Sequence, residues 1–338
     1  MRNRKVTRPI LVFAAIFVIF AGFTGCDRNG NMDGKALLTV GGRNVGEIEA
    51  RYFLYASANT MRSYMPYVEW SDVLGDTPVP DYIRNEALNA IKFYHTIHMK
   101  AIEYSAGLSD IQRADLEQLR NERVSGYGSE QAFNEYLEST GIDDALYRYF
   151  NETNALYENL IEALFGENGS MKASDDVLIK FAQENGHIRA THILLMTVDD
   201  FLQRLPDDEV QRKRELAEYV HGRAIAGDDF FSLLFEYGED PGVAVEPYSY
   251  DFTSGVMVVE FEKAAFDLKE NEISDIVETF YGFHIIMRLP IDPESVRYEH
   301  AGHELGRLIN DWSKDVEFTL SDEWNSIDVR ELYENFHK

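Results

Sequence analysis

The sequence contains little cysteine and few basic residues, and each shortage excludes a class of function. Its 338 residues include a single cysteine, Cys26, so no disulfide can form within the chain. Lys and Arg number 32 against 59 Asp and Glu, which gives a formal net charge of −27. A surface of this charge repels phosphate backbones and argues against a nucleic-acid partner. Apolar residues, at 45%, are sufficient for a buried core, and the length allows two domains.

Long apolar runs are also scarce, and the one at the N-terminus is short. Basic residues between positions 2 and 8 precede an apolar stretch of about 14 residues, too short for a membrane span and typical of a signal peptide over residues 1–25. The residues Phe23-Thr-Gly-Cys26 resemble a bacterial lipobox, with Phe23 where Leu is usual. This resemblance implies a lipid anchor on Cys26, which would leave no free thiol; an uncleaved anchor is the alternative. Residues 26–35 are polar and form a predicted tether.

The next 150 residues are predicted to be mostly helical. An alternating apolar strand at residues 36–45 leads into a helix from Glu47, and Pro66, Pro78 and Pro80 predict a loop. Further helices are predicted at 82–105, from the N-cap Ser109 to about 123, at 143–165 and at 175–185.

Two histidines at matched positions mark a candidate site. His192 and His284 each begin a short β-branched and aliphatic run that predicts a buried strand. On adjacent central strands their imidazoles would lie side by side. A single such histidine is usually a hydrogen-bonded core residue, but a matched pair favours a functional role, as ligands, as general bases or as a hydrogen-bonded pair.

Other histidines do not predict a metal site. His95 and His98 lie near the apolar face of one helix, with no carboxylate or cysteine at ligand spacing, and are interpreted as packing or surface residues. The pair His300 and His303 lacks the H-E-x-x-H order and a third ligand. We therefore predict neither a metal nor a cofactor.

Several segments after His192 resemble, in order, those of parvulin prolyl isomerases. They are Glu236-Tyr-Gly-Glu-Asp240-Pro, Gly255-Val-Met257-Val-Val-Glu-Phe261-Glu-Lys-Ala-Ala-Phe266-Asp-Leu, Glu272-Ile-Ser274, and Val277-Glu-Thr279 continuing to Tyr281-Gly-Phe-His284-Ile-Ile. Together with the helical segments before them, they make the chain resemble the PrsA and SurA type of foldase. In that family a discontinuous helical chaperone module carries an inserted parvulin domain.

The resemblance implies an α+β fold, with a small mixed β-sheet surrounded by helices in the insert. The implied domains are a helical chaperone domain at 36–186, a parvulin domain at 187–290, and a C-terminal segment at 291–338 that packs back on the chaperone domain. It also implies a buried hydrogen-bonded network and a proline pocket. The network residues are His192, Asp240, Thr279 and His284, and the pocket residues are Met257, Phe261 and Phe252.

The implied function is that of a peptidyl-prolyl cis-trans isomerase and chaperone for secreted proteins, lipid-anchored on the extracytoplasmic face of the cell membrane. Its partners would be unfolded or partly folded polypeptides with X-Pro bonds, and a homodimer is compatible with the sequence. A solute-binding or structural envelope lipoprotein is a third class, which predicts a ligand cleft and no effect on refolding.

Two departures from the family pattern qualify this prediction. Residues Val245–Asp251 replace a glycine-rich G-G-D-L-G stretch, and Ser249 stands where an apolar residue usually lines the pocket. The alternative function is therefore a catalytically weak or inactive parvulin-like holdase. The loop from Thr197 to Asp200 lacks a basic cluster, which predicts no preference for phosphorylated Ser/Thr-Pro.

Overall fold

The computed structural model describes residues 36–336. The predicted signal peptide, the lipidation site Cys26 and the tether lie outside these residues. The chain forms two compact units: the first ends at Lys172 and resumes at Ala301, and the second is Ala173–His300. The domain boundaries given above stay predictions. Between residues 36 and 336, no helix is both long enough and apolar enough to cross a membrane.

The first unit starts with an antiparallel hairpin of two short strands and continues as helices. Its elements up to Lys172 are β1 (Leu38–Val40), β2 (Arg43–Val45), α1 (Glu47–Tyr64), β3 (Val73–Leu74), β4 (Thr77–Pro78), α2 (Val79–Glu103), α3 (Asp110–Tyr127), α4 (Glu130–Ser139) and α5 (Asp144–Phe165). The predicted cap of α3 is confirmed: the Ser109 hydroxyl accepts the Gln112 N–H at 3.2 Å.

Helix α2 starts earlier than the sequence indicated and contains Pro80 in its first turn. The prediction that Pro80 belongs to the preceding loop was wrong. Proline lacks an N–H, but the first N–H groups of a helix have no partner within it, so proline is tolerated there.

The second unit is a four-stranded sheet with helices on both faces. Its elements are α6 (Asp175–Glu184), β5 (Ile188–Met196), α7 (Asp207–Ile225), α8 (Phe230–Tyr237), a 3-10 turn (Pro241–Val243), β6 (Tyr250–Phe252), α9 (Val259–Asp267), β7 (Val277–Glu278) and β8 (Gly282–Leu289). The strand order is β6-β5-β8-β7. The two histidine-bearing strands, β5 and β8, are therefore the central pair.

Both units together confirm the predicted α+β class, with one correction in the sheet. Every described pairing in it is antiparallel, whereas a mixed sheet was expected. Apolar runs of this kind show that a strand is buried but not the direction in which it pairs. On one face Ile193 and Ile285 pack with α7 and α8, and on the other Ala190 and Ile286 pack with Phe261 of α9.

The chain then returns to the first unit. Its last elements are α10 (Pro293–Lys314), in which the division between the units falls, β9 (Phe318–Leu320), α11 (Asp322–Ser326) and α12 (Val329–Asn335). Strand β9 pairs antiparallel with β1. Trp324 and Leu332 are buried in the same core cluster as Phe53 of α1. The first unit is thus built from both ends of the described chain.

Candidate active site

The central strands place the two histidines on one face of the sheet, diagonally across from each other. His192 is opposite Ile286, and His284 is opposite Leu194. Residues two apart on a strand share a face, so the register brings both imidazoles to the side covered by α9. Both rings are buried, at 4% and 3% exposure. The two Nδ1 nitrogens lie 3.1 Å apart, within hydrogen-bond distance.

Each ring has a second partner on the side away from the other ring. The Nε2 of His192 lies 2.7 Å from Oδ2 of Asp240, and the Nε2 of His284 lies 2.8 Å from Oγ1 of Thr279. The structure therefore brings together all four residues of the predicted network. Thr279 lies just after β7, and Asp240 directly precedes the 3-10 turn, where its Oδ1 also accepts the Gly242 N–H at 2.8 Å.

When each ring carries one proton, these partners determine which nitrogen holds it. An ionised Asp240 only accepts, so the Nε2–H of His192 donates to it and the Nδ1 of His192 is left as an acceptor. The Nδ1–H of His284 then donates to His192, and the Nε2 of His284 accepts the Thr279 hydroxyl proton. The Tyr281 N–H donates to Thr279 at 3.1 Å and completes the chain. With one proton on each ring, all donors point towards the carboxylate.

The charges of the site follow from this arrangement. Burial raises the pKa of Asp240, but hydrogen bonds from His192, Gly242 and Tyr250 outweigh it and lower the pKa to about 2. Burial, with the neighbouring ring of His192, lowers the pKa of His284 to about 3 although Asp240 opposes the shift. At physiological pH the site therefore holds the ionised carboxylate of Asp240 and a neutral His284 ring.

The three predicted pocket residues adjoin the histidines on the same face. Phe261 is buried and meets both imidazoles edge-to-face, with ring centroids 5.1 Å from His192 and 5.5 Å from His284. Phe252 is also buried and packs against Phe261 at 6.1 Å. Met257 is only half-buried at the edge of this cluster. Phe261 and Phe252 thus form an apolar floor, and Met257 is the member that solvent reaches.

The altered segment Val245–Asp251 is anchored to the edge of β5. The guanidinium Nε of Arg189 donates to the Ser249 hydroxyl at 2.9 Å, and the Thr191 hydroxyl donates to the Tyr248 carbonyl at 2.7 Å. Ser249 is 8% exposed. Its polar group is therefore engaged by a cation from the neighbouring strand.

One residue of the site, Tyr250, was not predicted from the sequence. Its hydroxyl donates to Oδ2 of Asp240 at 3.0 Å, the same oxygen that His192 contacts. An available signal was that an aromatic residue replaces part of a glycine-rich stretch directly before Phe252. The contact itself depends on how the 3-10 turn at Pro241–Val243 folds against β6, which no spacing reveals.

The remaining histidine candidates have packing roles or surface positions. His98 is hydrogen-bonded to Thr153 at 2.7 Å and stacks on Tyr149 at 4.7 Å. His300 meets the ring of Phe181 edge-to-face, and the side chain of His303 is 60% exposed. Among residues 36–336, no three His, Cys, Asp or Glu side chains are grouped so as to hold a metal ion.

Comparison with known proteins assigns the second unit. The family model described as "PPIC-type PPIASE domain" matches residues 177–289, which include all seven predicted site residues. The second unit carries a PPIC-type parvulin domain. The resemblance to parvulin prolyl isomerases is confirmed by this match.

Relatives extend the similarity beyond the parvulin domain. Foldase protein PrsA of Caldanaerobacter subterraneus subsp. tengcongensis is 26% identical over 288 residues, 82% of this chain and 81% of the relative. Foldase protein PrsA of Halalkalibacterium halodurans is 36% identical over 123 residues, 36% of each chain. Chaperone SurA of Alkalilimnicola ehrlichii is 27% identical over 214 residues, 59% of this chain and 48% of the relative. The predicted resemblance to foldases of the PrsA and SurA type is confirmed by these matches.

Proposed function

We propose that the chain is an extracytoplasmic foldase, in which the parvulin domain accelerates X-Pro isomerisation and the helical unit holds unfolded clients. The parvulin-type isomerase activity follows from the family match, and the chaperone role from the PrsA and SurA relatives. The observation that supports the catalytic assignment is the directional hydrogen-bond chain from Thr279 through His284 and His192 to Asp240.

The reaction makes few chemical demands. Rotation about a peptide bond crosses a barrier of about 18–20 kcal/mol because twisting destroys amide resonance. In the twisted amide the nitrogen becomes more basic and the carbonyl oxygen loses negative charge. A catalyst therefore needs groups that favour this charge distribution over the planar one, and it needs no nucleophile.

The network supplies such a setting through a fixed carboxylate. A carboxylate near the substrate carbonyl disfavours the negative oxygen of the planar amide, and so lowers the barrier to twisting. Asp240 stays ionised because its pKa is about 2, and the hydrogen bond to His192 holds it in place. A proton need not be transferred, because the rings act as aligned dipoles and Asp240 as the charge.

The proline ring would contact Met257 over the aromatic floor. Phe261 and Phe252 are too buried to offer more than an edge, whereas Met257 is accessible and its thioether adapts to a small ring. We assign Met257, Phe261 and Phe252 to the pocket on this basis.

The cellular setting is part of the same proposal. Lipidation of Cys26 would attach the chain to the outer face of a membrane, where it would meet newly secreted polypeptides. Conversion of Cys26 to Ser should release the protein from the membrane fraction when the natural chain is expressed. A homodimer stays a prediction that sedimentation of the mature chain can test.

The decisive experiment is a prolyl isomerisation assay with a short X-Pro peptide and the mature chain. We expect acceleration over the uncatalysed rate and a loss of about 10²-fold in kcat/KM for His192→Ala. A matched control is His221→Ala, a helix residue of the same domain outside the network, which should leave the rate unchanged. A wild-type rate equal to the uncatalysed one would refute the enzyme function, and suppression of client aggregation would then identify a holdase.

A further inference from the structure

The segment that departs from the family pattern is built into the sheet beside the active site. Ala190 of β5 is opposite Tyr250 of β6, and Arg189 and Thr191 hydrogen-bond Ser249 and the carbonyl of Tyr248. Together with the pairing of Phe252 with Ile188, these contacts fix the backbone on both sides of Tyr250. The register also places the Tyr250 side chain on the same face of the sheet as His192, two residues along β5 from Ala190.

The Tyr250 hydroxyl reaches the charged end of the hydrogen-bond chain. It donates to Oδ2 of Asp240 at 3.0 Å, while His192 donates to the same oxygen at 2.7 Å and the Gly242 N–H donates to Oδ1 at 2.8 Å. The Tyr250 ring also meets the His192 ring edge-to-face, with centroids 5.9 Å apart. Asp240 therefore has three donors on its two oxygens.

The glycine at position 242 makes room for this hydroxyl. A Cβ added to Gly242 would lie 1.7 Å from the Tyr250 hydroxyl oxygen and 3.2 Å from Oδ1 of Asp240. Only a residue without a side chain allows the 3-10 turn and the tyrosine to approach the carboxylate together. Gly242 and Tyr250 thus form a matched pair around Asp240.

We propose that Tyr250 is a positioning residue for the isomerase, which fixes the orientation of Asp240 and keeps it ionised through a hydrogen bond that Gly242 makes sterically possible. The inference rests on the proposed function, since Asp240 is taken there as the catalytic charge. It also gives the altered segment a role: the residues that replace the glycine-rich stretch supply a donor to the carboxylate.

The chemistry of the pair fits a donor role. Burial and the negative charge of Asp240 raise the pKa of Tyr250 to about 12, so the hydroxyl keeps its proton throughout the neutral range. A hydrogen bond to a charged group is stronger than one between neutral groups. Removal of the Tyr250 hydroxyl should therefore leave Asp240 charged but less firmly oriented.

A double-mutant cycle in kcat/KM tests the coupling. Tyr250→Phe should lower kcat/KM about three- to tenfold, mostly through kcat, because the proline pocket is intact. The same change in an Asp240→Asn background should have little further effect, because the hydroxyl then has no carboxylate to hold. An equal loss in both backgrounds would mean that Tyr250 acts only through packing and would overturn the inference. Tyr157→Phe is the matched control, a buried tyrosine of the first unit whose hydroxyl donates to the Gly302 carbonyl at 2.9 Å.

The ionisation of Asp240 can be measured without any activity. In the mature chain labelled with ¹³C at aspartate carboxyls, Asp240→Asn identifies the resonance. Tyr250→Phe should raise the titration midpoint of Asp240, because one of its three donors is lost. An unchanged midpoint would overturn the inference even if Asp240→Asn leaves too little activity for the cycle.

The requirement for glycine at position 242 can be tested separately. Gly242→Ala should lower kcat/KM more in the wild-type background than together with Tyr250→Phe, where the nearest atom becomes the ring carbon at 2.9 Å. An equal effect in both backgrounds would contradict the matched pair. These failures are distinct from a failure of the proposed function, which would show as no catalysis by the wild-type chain.

Discussion

The two units each contain a pair of buried or half-buried histidines, and the pairs differ in what surrounds them. In the first unit His95 and His98 lie one helical turn apart on α2, near the cation Arg43, whose own partner is the fully buried Glu49. In the second unit His192 and His284 lie on neighbouring strands and their hydrogen-bond chain ends at Asp240. Glu49, the carboxylate near the first pair, binds the Arg43 guanidinium. Asp240, the carboxylate of the second pair, is hydrogen-bonded directly to His192 and also accepts from Tyr250.

The two pairs also differ in the direction of the hydrogen bond between a histidine and a threonine. Thr153 donates its hydroxyl proton to the Tyr149 carbonyl at 2.6 Å, so His98 must donate to Thr153. Thr279 has no such acceptor among its described contacts, receives the Tyr281 N–H and donates to His284. Burial and threonine contact are therefore common to both pairs. A carboxylate hydrogen-bonded directly to one of the two rings distinguishes the catalytic candidate.

The largest difference between the two histidine pairs should appear when the carboxylate near each pair, Asp240 or Glu49, is removed. Asp240→Ala should lower kcat/KM for a short X-Pro peptide by about 10²-fold or more, because the fixed charge is lost. Glu49→Ala should leave that rate unchanged but destabilise the first unit by about 3 kcal/mol or more, since Arg43 loses its buried partner. A Glu49→Ala chain that is as stable as the wild type, or an Asp240→Ala chain that is fully active, would remove the basis of the comparison.

The stability of the first unit and the activity of the second can be measured separately. The three tryptophans, Trp70, Trp312 and Trp324, all belong to the first unit. Intrinsic tryptophan fluorescence therefore reports unfolding of the first unit, and isomerase activity on a short peptide reports the second.

Acid should lower the free energy of unfolding of the first unit, because His95 and His98 are neutral in the folded state. Burial and the nearby Arg43 lower the pKa of His95 to about 4, and burial, Arg43 and His95 lower that of His98 to about 3. Both values lie below the usual 6.5 of an unfolded histidine, so the unfolded state binds more protons. Stability should be fully present above pH 6.5 and fall as the pH drops from there towards 3.

The loss can be measured as the slope of the free energy of unfolding against pH. Each histidine should contribute about 1.4 kcal/mol per pH unit below its unfolded pKa, within the range in which it stays neutral in the folded state. Urea unfolding followed by tryptophan fluorescence between pH 7 and 4.5 should show the decline, and His98→Gln should reduce the slope. An unchanged slope in this variant would show that His98 is charged or exposed in the folded unit. His221→Gln, on the second unit, is the control.

Comparison of sequence and structure shows which features local patterns determine. The strands, the helices and the pairing of His192 with His284 on neighbouring strands follow from periodicity and from the family motifs. Their diagonal offset does not, because register depends on how the long connection between β5 and β8 folds. Pro80 was misplaced because a proline ends a pattern but also begins helices. Tyr250 was missed because its partner, Asp240, reaches it only through tertiary structure.

The smallest effects should come from the two threonines, which test the direction of the contacts. Thr279→Val removes the donor to His284 and should lower kcat/KM about two- to tenfold, while leaving tryptophan-detected stability unchanged. Thr153→Val removes the acceptor of His98 and should cost the first unit about 1 kcal/mol without changing the rate. Thr279→Ser restores a hydroxyl and should recover most of the activity, because the donor and not the methyl group is required. A Thr279→Val chain as active as the wild type would contradict this assignment. The Nε2 of His284 would then need no donor, and the directional chain towards Asp240 would lose its first link.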